Sequence, residues 1–359
     1  MSFDRSVTTL IRPDIQALGA YHVPDAGAMI KLDAMENPYP LPGPLQKQWA
    51  AVLAEPAVNR YPDPRAPEVK KGLRAVMSIP DEFDILLGNG SDELIQMMCL
   101  AIAGPGRVVM APEPGFVMYA NLARITGLDY HGVALGGDFS LDLPAMLDAL
   151  GKHKPALLFL AQPNNPTGNL FAPDQVRALV EHAPGLVVID EAYTPFCDSD
   201  YLGLAREFEH VLIMRTFSKV GLAGLRLGFL IGRPAWLAEF DKVRLPYNIN
   251  VLTQAGAAFA LEHFGDFRAQ AARIRNDRAS LTQALQALAR LEVFPSEANF
   301  VLVRTLKADA RRVCAELAQR GILIKCLDGA HPLLRGCLRI TVGTPEENTR
   351  CVAALREIL

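Results

Sequence analysis

The chain has 359 residues, of which 50% are hydrophobic and 21% are charged, and its formal net charge is −3. Cores usually stop growing beyond about 250–300 residues, so this length predicts two domains. The weakly negative charge offers no basic surface to a nucleic acid, and no apolar run reaches the roughly 18 residues of a membrane span. The start, MSFDRSVTTLIRPD, lacks the apolar segment of a signal peptide, and six scattered cysteines contain no CxxC pair. These features predict a cytoplasmic protein with reduced thiols and no metal site.

Residues 1–45 are rich in proline and glycine and include AYHVPDAGAMIKLDAMENPYPLPGP. Because this composition interrupts regular elements, it predicts an extended arm that lies over another part of the molecule. We therefore treat residues 1–45 as an N-terminal arm and not as a domain.

From residue 46 to residue 246, short apolar strands alternate with helical segments. The predicted strands are FDILLG (83–88), RVVMA (107–111), ALLFLA (156–161), GLVVID (185–190), HVLIMR (210–215) and LRLGFLIG (225–232). Several are continuous apolar runs, which are typical of strands that helices cover on both faces. One such helix is predicted over 91–104, with Ser91 or Asp92 as its N-cap. The alternation predicts an α/β domain with a mostly parallel sheet.

The pattern changes at about residue 247. A long amphipathic region is followed by the strand segments EVFPSEANFVLVRT and CLRITVGT around the helix ADARRVCAELAQRG. Residues 247–359 are therefore predicted to form a smaller α+β domain.

Polar residues follow two of the predicted strands in glycine- or proline-containing segments. In open α/β sheets, ligands bind beyond the carboxyl ends of the strands. The segment LLGNGSDE ends a strand with Gly88, Asn89 and Gly90 and opens a helix at Ser91 and Asp92, and the free amides of such a helix start suit a phosphate. The segment FLAQPNNPTG follows another strand and contains Asn165. Each segment alone could also be an ordinary turn or a capped helix.

The segment VVIDEAYTPF places Asp190 at the end of an apolar run, with Tyr193 three residues later. A carboxylate buried there is costly unless it meets a cation or hydrogen-bond donors. Asp190 could therefore bind a cationic group of a ligand, or it could cap a helix. Both interpretations stay open from this segment alone.

The segment TFSKVGLAGLRLGF follows the strand HVLIMR and contains Thr216, Ser218, Lys219 and Arg226. A lysine beside two hydroxyl groups at a strand end is more often solvated than catalytic. Here, however, glycine and bulky aliphatic residues would desolvate Lys219, which lowers the pKa of an amine and makes it a nucleophile.

Together these four segments meet the needs of one cofactor, pyridoxal 5'-phosphate. The glycine-rich helix start, Ser218 and Arg226 can hold its phosphate. Asp190 can hold a protonated pyridine nitrogen, while a tyrosine and an asparagine can bind the ring oxygen. Lys219 can form a covalent bond with the aldehyde, whose ring then acts as an electron sink.

The motifs PNNPTG, DEAY and SK followed by GLR-GF stand in the order and spacing of the fold-type I, aspartate-aminotransferase-like enzymes. The chain resembles this family of pyridoxal-phosphate enzymes over nearly its whole length. The resemblance implies a large domain with a mostly parallel seven-stranded sheet, and a smaller α+β domain that includes part of the arm. The chain is most similar to the histidinol-phosphate aminotransferases, on RPDIQALGAYHVP (12–24), KLDAMENPYPLP (31–42), NRYPDP (59–64), GNGSDELI (88–95) and GCLRITVGTPEEN (336–348).

The resemblance also implies cofactor contacts. Lys219 would form the covalent link, and Asp190 would pair with the pyridine nitrogen. Asn165 and Tyr193 would bind the ring oxygen. Phe116, in PGFVMY, stands where relatives often carry tyrosine and would stack on the ring without a hydroxyl group. The implied phosphate site consists of Gly90, Ser91, Asp92, Thr216, Ser218 and Arg226.

Further implied contacts concern the partner subunit and the substrate. The resemblance implies a homodimer in which Tyr61 reaches the phosphate of the neighbouring subunit. Arg339 would hold the substrate carboxylate as a bidentate partner. The other implied substrate-binding residues are Tyr21, Asn37 and Lys325.

The implied reaction is transamination of histidinol phosphate with 2-oxoglutarate, giving imidazole acetol phosphate and glutamate in histidine biosynthesis. A threonine-phosphate decarboxylase or a broad aromatic amino acid aminotransferase would share the cofactor residues. A regulatory ligand-binding domain, of the kind fused to DNA-binding modules, is disfavoured because the sequence contains no basic patch. A nicotinamide dehydrogenase is disfavoured because GNGSDE lacks the third glycine of GxGxxG.

Overall fold

A computed structural model describes residues 6–20 and 23–359 of the chain. The strands are β1 (Ile30–Leu32), β2 (Asp84–Gly88), β3 (Val108–Glu113), β4 (Asp129–Ala134), β5 (Leu157–Ala161), β6 (Leu186–Asp190), β7 (Val211–Thr216), β8 (Gly228–Gly232), β9 (Leu291–Val293), β10 (Phe300–Thr305), β11 (Ile322–Cys326) and β12 (Cys337–Thr341). The α-helices are α1 (Val7–Leu10), α2 (Pro13–Gln16), α3 (Gly43–Ala54), α4 (Pro67–Met77), α5 (Ser91–Ile102), α6 (Val117–Ile125), α7 (Leu143–His153), α8 (Pro173–His182), α9 (Leu202–Glu207), α10 (Pro234–Asp241), α11 (Val251–Glu262), α12 (Phe264–Gln286), α13 (Ala310–Gln319) and α14 (Pro345–Ile358).

Seven strands form one sheet in the order β2-β8-β7-β6-β5-β3-β4. Within the described residues, β8 alone runs antiparallel to its neighbours, and the other pairs are parallel. Along β6, Val187 and Ile189 join one apolar cluster, whereas Leu186 and Val188 join another on the opposite face. Each such side chain contributes about 1.5–3 kcal/mol when fully buried. The predicted α/β fold with a mostly parallel seven-stranded sheet is confirmed.

Two strands differ from the sequence prediction. The strand β4 is missing from it, because the segment DYHGVA mixes polar and apolar residues and is largely half-buried or exposed. It lies at an edge of the sheet, where a strand can carry polar side chains. The strand β8 begins only at Gly228, since a turn precedes it in which Arg226 has a left-handed φ of +51°.

The carboxyl ends of the central strands meet at one edge of this sheet. The register pairs Asp190 at the end of β6 with Ala161 of β5 and with Met214 of β7. Helix α5 starts at the same edge after β2, and its first residue is Ser91. The predicted N-cap is wrong: Gly90 occupies that position with a φ of +84° and provides no side-chain cap. The first amides of α5 are therefore not satisfied by a capping side chain.

A second sheet has five strands in the order β1-β11-β12-β10-β9. Its first strand comes from the N-terminal arm and pairs in parallel with β11. The arm continues across the molecule, where the Met35 backbone N–H donates to Thr341 Oγ1 at 3.0 Å and the Asn299 side chain donates to the Met35 carbonyl at 2.8 Å. These contacts hold the arm at Met35 against the end of β12 and the start of β10.

No helix among residues 6–20 and 23–359 combines the length and the apolar character that crossing a bilayer requires. The longest helix, α12, spans 23 residues and carries buried side chains on one side only. It packs against the turn at Thr194–Phe196, against the turn at Ser218–Leu222 and against α14. Helix α12 therefore connects the two sheets.

Candidate functional site

A cleft of about 200 Å³ lies beyond the carboxyl ends of β5, β6 and β7. Its lining brings together residues from the arm, from three strand ends and from the start of α5. The side chains predicted for the site that line it are Ser91, Asp92, Phe116, Asn165, Asp190, Tyr193, Thr216, Ser218, Lys219 and Arg226. The arm contributes Ala34 and Glu36, which the sequence patterns did not identify.

A larger cavity of about 470 Å³ shares Thr216 with this cleft but lies on the other side of the Ser218–Leu222 turn. Its polar wall is a buried ion pair in which Arg215 Nε donates to Glu191 Oε2 at 2.7 Å. Lys219 and Asp190 do not line it. Because size alone does not supply reactive groups, we place the chemistry in the smaller cleft.

Lys219 lies in the irregular turn Ser218–Leu222, which Gly221 permits with a φ of +120°. The amine donates to the Ala34 carbonyl at 3.3 Å and lies 5.8 Å from the centre of the Tyr193 ring. Burial, followed by the positive charge of Arg339, lowers the pKa of Lys219 from 10.5 to about 8. The amine is therefore partly neutral near neutral pH and can act as a nucleophile or a base.

Asp190 is a buried carboxylate at the floor of the cleft. Its Oδ2 accepts a hydrogen bond from the Tyr119 hydroxyl at 2.6 Å, and its Oδ1 accepts one from the Ala192 backbone N–H at 3.1 Å. Burial raises its pKa from 3.8 to about 6, and the Tyr119 hydrogen bond opposes that rise. The sequence prediction missed Tyr119, although it lies in PGFVMY, three residues after Phe116.

The start of α5 and the turn after β7 together form a cup that contains helix-start amides, hydroxyl groups and a guanidinium. Arg226 Nη1 donates to Ser218 Oγ at 3.4 Å, and Arg226 Nη2 lies 3.4 Å from Asp92 Oδ2. Thr216 Oγ1 donates to Ser218 Oγ at 3.0 Å. A Cβ atom on Gly90 would come within 2.6 Å of Arg226 Nη2, and the φ of +84° is one that residues with a side chain rarely adopt, so both features favour glycine at this position. Helix-start amides and a guanidinium are the groups that bind a phosphate dianion.

Asn165, which lines the cleft, and Arg339 of β12 connect the two sheets. Arg339 Nη1 donates to Asn165 Oδ1 at 2.6 Å, and Arg339 Nη2 donates to the Asp33 carbonyl at 3.0 Å. Arg339 is buried, with 7% of its surface exposed. A guanidinium held in this way keeps its planar fork in a fixed orientation.

Four other residues predicted for the site are not among the residues that line the cleft. One of them lies outside the described residues. Tyr61 is 80% exposed and stacks on Tyr247 with ring centres 4.4 Å apart. Asn37 uses its amide N–H groups on the Val220 carbonyl and on Gln270, so it contacts the turn that carries Lys219 rather than lining the cleft. Lys325 is paired in register with Arg339, which places both side chains on one face of the second sheet. Tyr21 lies outside the described residues.

The residues present fit pyridoxal phosphate. The cup has the donors for its phosphate, and Lys219 has a desolvated amine for its aldehyde. Asp190 offers a buried carboxylate for the ring nitrogen, and Phe116 lines the same cleft as an apolar partner for the ring face. The set contains a phosphate site, a nucleophile and a counter-ion for a heteroaromatic cation, which are the protein's contributions to this chemistry.

The lowered pKa of Lys219 predicts a pH dependence for the attachment of pyridoxal phosphate to the cofactor-free protein. Only the neutral amine attacks an aldehyde, so the attachment rate should rise with pH and level off above about pH 8. Stopped-flow absorbance measures this rate. The variant Arg339→Gln should move the midpoint upward, because Arg339 contributes to the lowering. A midpoint near the ordinary lysine pKa of 10.5 in the unmodified protein would contradict the desolvation of Lys219.

Known proteins are similar to this chain in both sequence and fold. The family profile "Aminotransferase class I and II" matches residues 28–355. Histidinol-phosphate aminotransferase 2 of Nitrosococcus oceani is 53% identical over 356 residues, which are 99% of each chain. Histidinol-phosphate aminotransferase of Chromobacterium violaceum is 53% identical over 351 residues, 98% of each chain. The structure of histidinol-phosphate aminotransferase from Sinorhizobium meliloti in complex with pyridoxal-5'-phosphate superposes with a TM-score of 0.87 at 26% identity, covering 99% of this chain and 98% of that one. The chain thus belongs to the class I and II aminotransferases.

Proposed function

We propose that this aminotransferase converts histidinol phosphate and 2-oxoglutarate to imidazole acetol phosphate and glutamate, in histidine biosynthesis. The observation that carries the proposal is the Lys219 amine, held in one cleft with the buried Asp190 and next to the guanidinium of Arg339. The relatives named above, which match along nearly the whole chain, support the choice of substrate.

The cofactor is pyridoxal 5'-phosphate, which when bound supplies an aldehyde for the amino group and a ring that withdraws electrons. In the proposal, Arg226, Ser218 and the start of α5 hold its phosphate. Asp190 holds the proton on the ring nitrogen. Asn165 and Tyr193 bind the ring oxygen. These residues would hold the ring in the same cleft as Lys219.

Lys219 has two roles in the proposal. Its Nζ would hold the cofactor at the aldehyde carbon while the cleft contains no substrate. With substrate present, the same amine would accept the proton from the substrate carbon that bears the nitrogen. A pKa of about 8 suits this role, because a base works best when its pKa is near the working pH.

Substrate anions are assigned to Arg339 and Lys325. Histidinol phosphate carries a phosphate and no α-carboxylate, whereas glutamate carries two carboxylates. We infer that one pair of cations serves both substrates in turn, because Arg339 and Lys325 lie on one face of adjacent strands. Arg339 supplies a planar fork for a carboxylate, and Lys325 supplies a point charge for a phosphate.

The substrate assignment predicts that histidinol phosphate changes the cofactor absorbance quickly, whereas histidinol does so only weakly. Loss of a charge-assisted phosphate contact costs about 1.5–3 kcal/mol, which is at least about tenfold in affinity. Histidinol, threonine phosphate and phenylalanine, each offered separately, are the matched controls. Release of carbon dioxide from threonine phosphate would show a decarboxylase instead. Fast conversion of phenylalanine without conversion of histidinol phosphate would show a general aromatic aminotransferase.

We propose a functional division of the chain that follows the sequence boundaries. Residues 46–246 carry the cofactor contacts, and residues 247–359 with the arm, 1–45, carry the substrate contacts. The pairing of β1 with β11 supports the inclusion of the arm in the smaller unit. The free cysteines are typical of a reducing compartment and support a cytoplasmic location.

We further propose that the protein works as a homodimer in which Tyr61 contacts the phosphate bound by the other subunit. Tyr61 is exposed together with other apolar residues near it in the sequence or in contact with it, namely Val58 and Tyr247. Large exposed apolar side chains next to one another are typical of protein interfaces. A tyrosine hydroxyl at such a surface can reach a partner's site while its ring is buried in the interface.

Mixed dimers should test the contribution of Tyr61. A Lys219→Ala subunit combined with a Tyr61→Phe subunit forms one site that has both unmodified groups. At low cofactor concentration, this mixture should regain activity that neither parent has, because each heterodimer contains one complete site. Mass spectrometry verifies the mixed dimers. If they form and show no recovery although Tyr61→Phe alone binds cofactor weakly, Tyr61 acts within its own subunit.

A further inference from the structure

Tyr119 is a buried tyrosine beneath the cleft. The proposed function gives its hydroxyl group no role. It is 1% exposed, and its ring stacks on Phe159 with centres 4.4 Å apart and an interplanar angle of 3°. The edge of the Phe116 ring meets it at 5.5 Å and 88°. Because rings fix Tyr119 on two sides, the position of its hydroxyl oxygen is also fixed.

The Tyr119 hydroxyl donates to Asp190 Oδ2 at 2.6 Å, a short distance typical of a hydrogen bond to a carboxylate. Asp190 Oδ1 accepts separately from the Ala192 backbone N–H. Each carboxylate oxygen therefore has one fixed donor, and the plane of the carboxylate cannot rotate freely. The remaining acceptor capacity of Asp190, which is 5% exposed and lines the cleft, is available to a ligand there.

Burial raises the pKa of Asp190, because it disfavours the ionised form. The neighbouring groups either add to this rise or oppose it. The negative charge of Asp92 also raises the pKa, whereas the Tyr119 hydroxyl, the Ala192 N–H and the positive charge of Lys219 lower it. The pKa of Tyr119 itself is raised well above 10.0, first because of burial and then because of Asp190. The hydroxyl therefore keeps its proton and remains a donor at any working pH.

We propose that Tyr119 is a positioning residue that keeps Asp190 ionised and directed at the pyridine nitrogen of the cofactor. This inference rests on the proposed role of Asp190. It goes beyond that role because it assigns the strength of the Asp190–cofactor interaction to a residue that does not line the cleft.

The test uses cofactor-free protein and two ligands, pyridoxal phosphate and its 1-deaza analogue, in which a carbon replaces the ring nitrogen. Both carry the same aldehyde and phosphate, so contacts at Lys219 and at the cup are common to both. The ratio of their dissociation constants, measured by fluorescence titration, isolates the contact at the ring nitrogen. Tyr119→Phe removes one hydroxyl group and should reduce the preference for pyridoxal phosphate about tenfold.

Tyr130→Phe is the matched control, because Tyr130 is a half-buried tyrosine whose hydroxyl contacts the carboxylate of Glu113 and which does not line the cleft. It should leave the ratio unchanged. If Tyr119→Phe does not fold, Phe159→Leu removes the ring that orients Tyr119 and should lower the same ratio. If the variant that folds binds both ligands more weakly by the same factor, Tyr119 contributes only to packing. That result would overturn the inference.

Asp190→Ala separates this inference from the proposal on which it rests. In that variant the preference for pyridoxal phosphate should fall further than in Tyr119→Phe. If unmodified protein and Asp190→Ala give the same ratio, Asp190 does not bind the ring nitrogen, and the role of Tyr119 falls with it. If Asp190→Ala lowers the ratio and Tyr119→Phe does not, Asp190 keeps its role and Tyr119 loses the one assigned here.

Discussion

Replacement of Lys219 by alanine is expected to remove almost all transamination while cofactor still binds. The loss of a positioned proton acceptor alone should slow the reaction about 10²–10⁴-fold. The proposed covalent attachment is lost as well, because Lys219 is the lysine among the residues that line the cleft. The proposed phosphate contacts of Ser218, Arg226 and the start of α5 do not depend on the Lys219 side chain. Single-turnover absorbance with histidinol phosphate measures the loss at saturating cofactor.

Borohydride reduction provides an independent measurement of the same residue. In the unmodified protein it should fix the cofactor on Lys219, as peptide mass mapping would show. The exposed Lys152 is the matched control, and Lys152→Ala should retain both the rate and the fixed cofactor. Fixation on another lysine, or a Lys219→Ala variant with nearly normal single-turnover rates, would remove Lys219 from the mechanism.

Asp190→Asn is expected to bind the cofactor and to lose about 10²–10³-fold in turnover, the scale of losing one electrostatic contact to a transition state. An amide cannot hold the proton on the pyridine nitrogen, because it is neutral and a very weak base. The asparagine side chain is nearly the same size as that of aspartate, and the Tyr119 hydroxyl can still donate to its amide oxygen. The variant should therefore fold, and the loss should be in the rate at saturating cofactor.

The control for that variant is Asp138→Asn, which changes a carboxylate on an exposed turn. It should keep the unmodified rate. If Asp190→Asn also keeps nearly normal turnover at saturating cofactor, Asp190 acts as a structural residue that accepts hydrogen bonds from Tyr119 and Ala192. If the rate of Asp190→Asn falls only because the cofactor no longer binds, the Asp190 carboxylate contributes to cofactor affinity and not to electron withdrawal by the ring.

The sequence by itself determined the fold class, the family and the strand ends at which the proposed reactive residues lie. Continuous apolar runs such as LVVI before Asp190 predict strands buried on both faces, and parallel strands bring their carboxyl ends to one edge. The chain direction therefore places Asp190 and Thr216 near each other without knowledge of the packing. The desolvation of Lys219 was also predictable, because glycine and aliphatic residues surround it in the sequence.

The tertiary structure alone decided which groups contact those residues from distant parts of the chain. Tyr119 donates to Asp190 from 71 residues away, and Ala34 accepts from Lys219 across 185 residues. The Arg339–Asn165 bond joins the two sheets across 174 residues. Local patterns do not contain such partners, because they depend on how helices and the arm pack on the sheet. For the same reason the patterns gave the wrong cap for α5: Gly90 occupies the cap position with a φ of +84°, and a Cβ there would come within 2.6 Å of Arg226 Nη2, a residue of another strand connection.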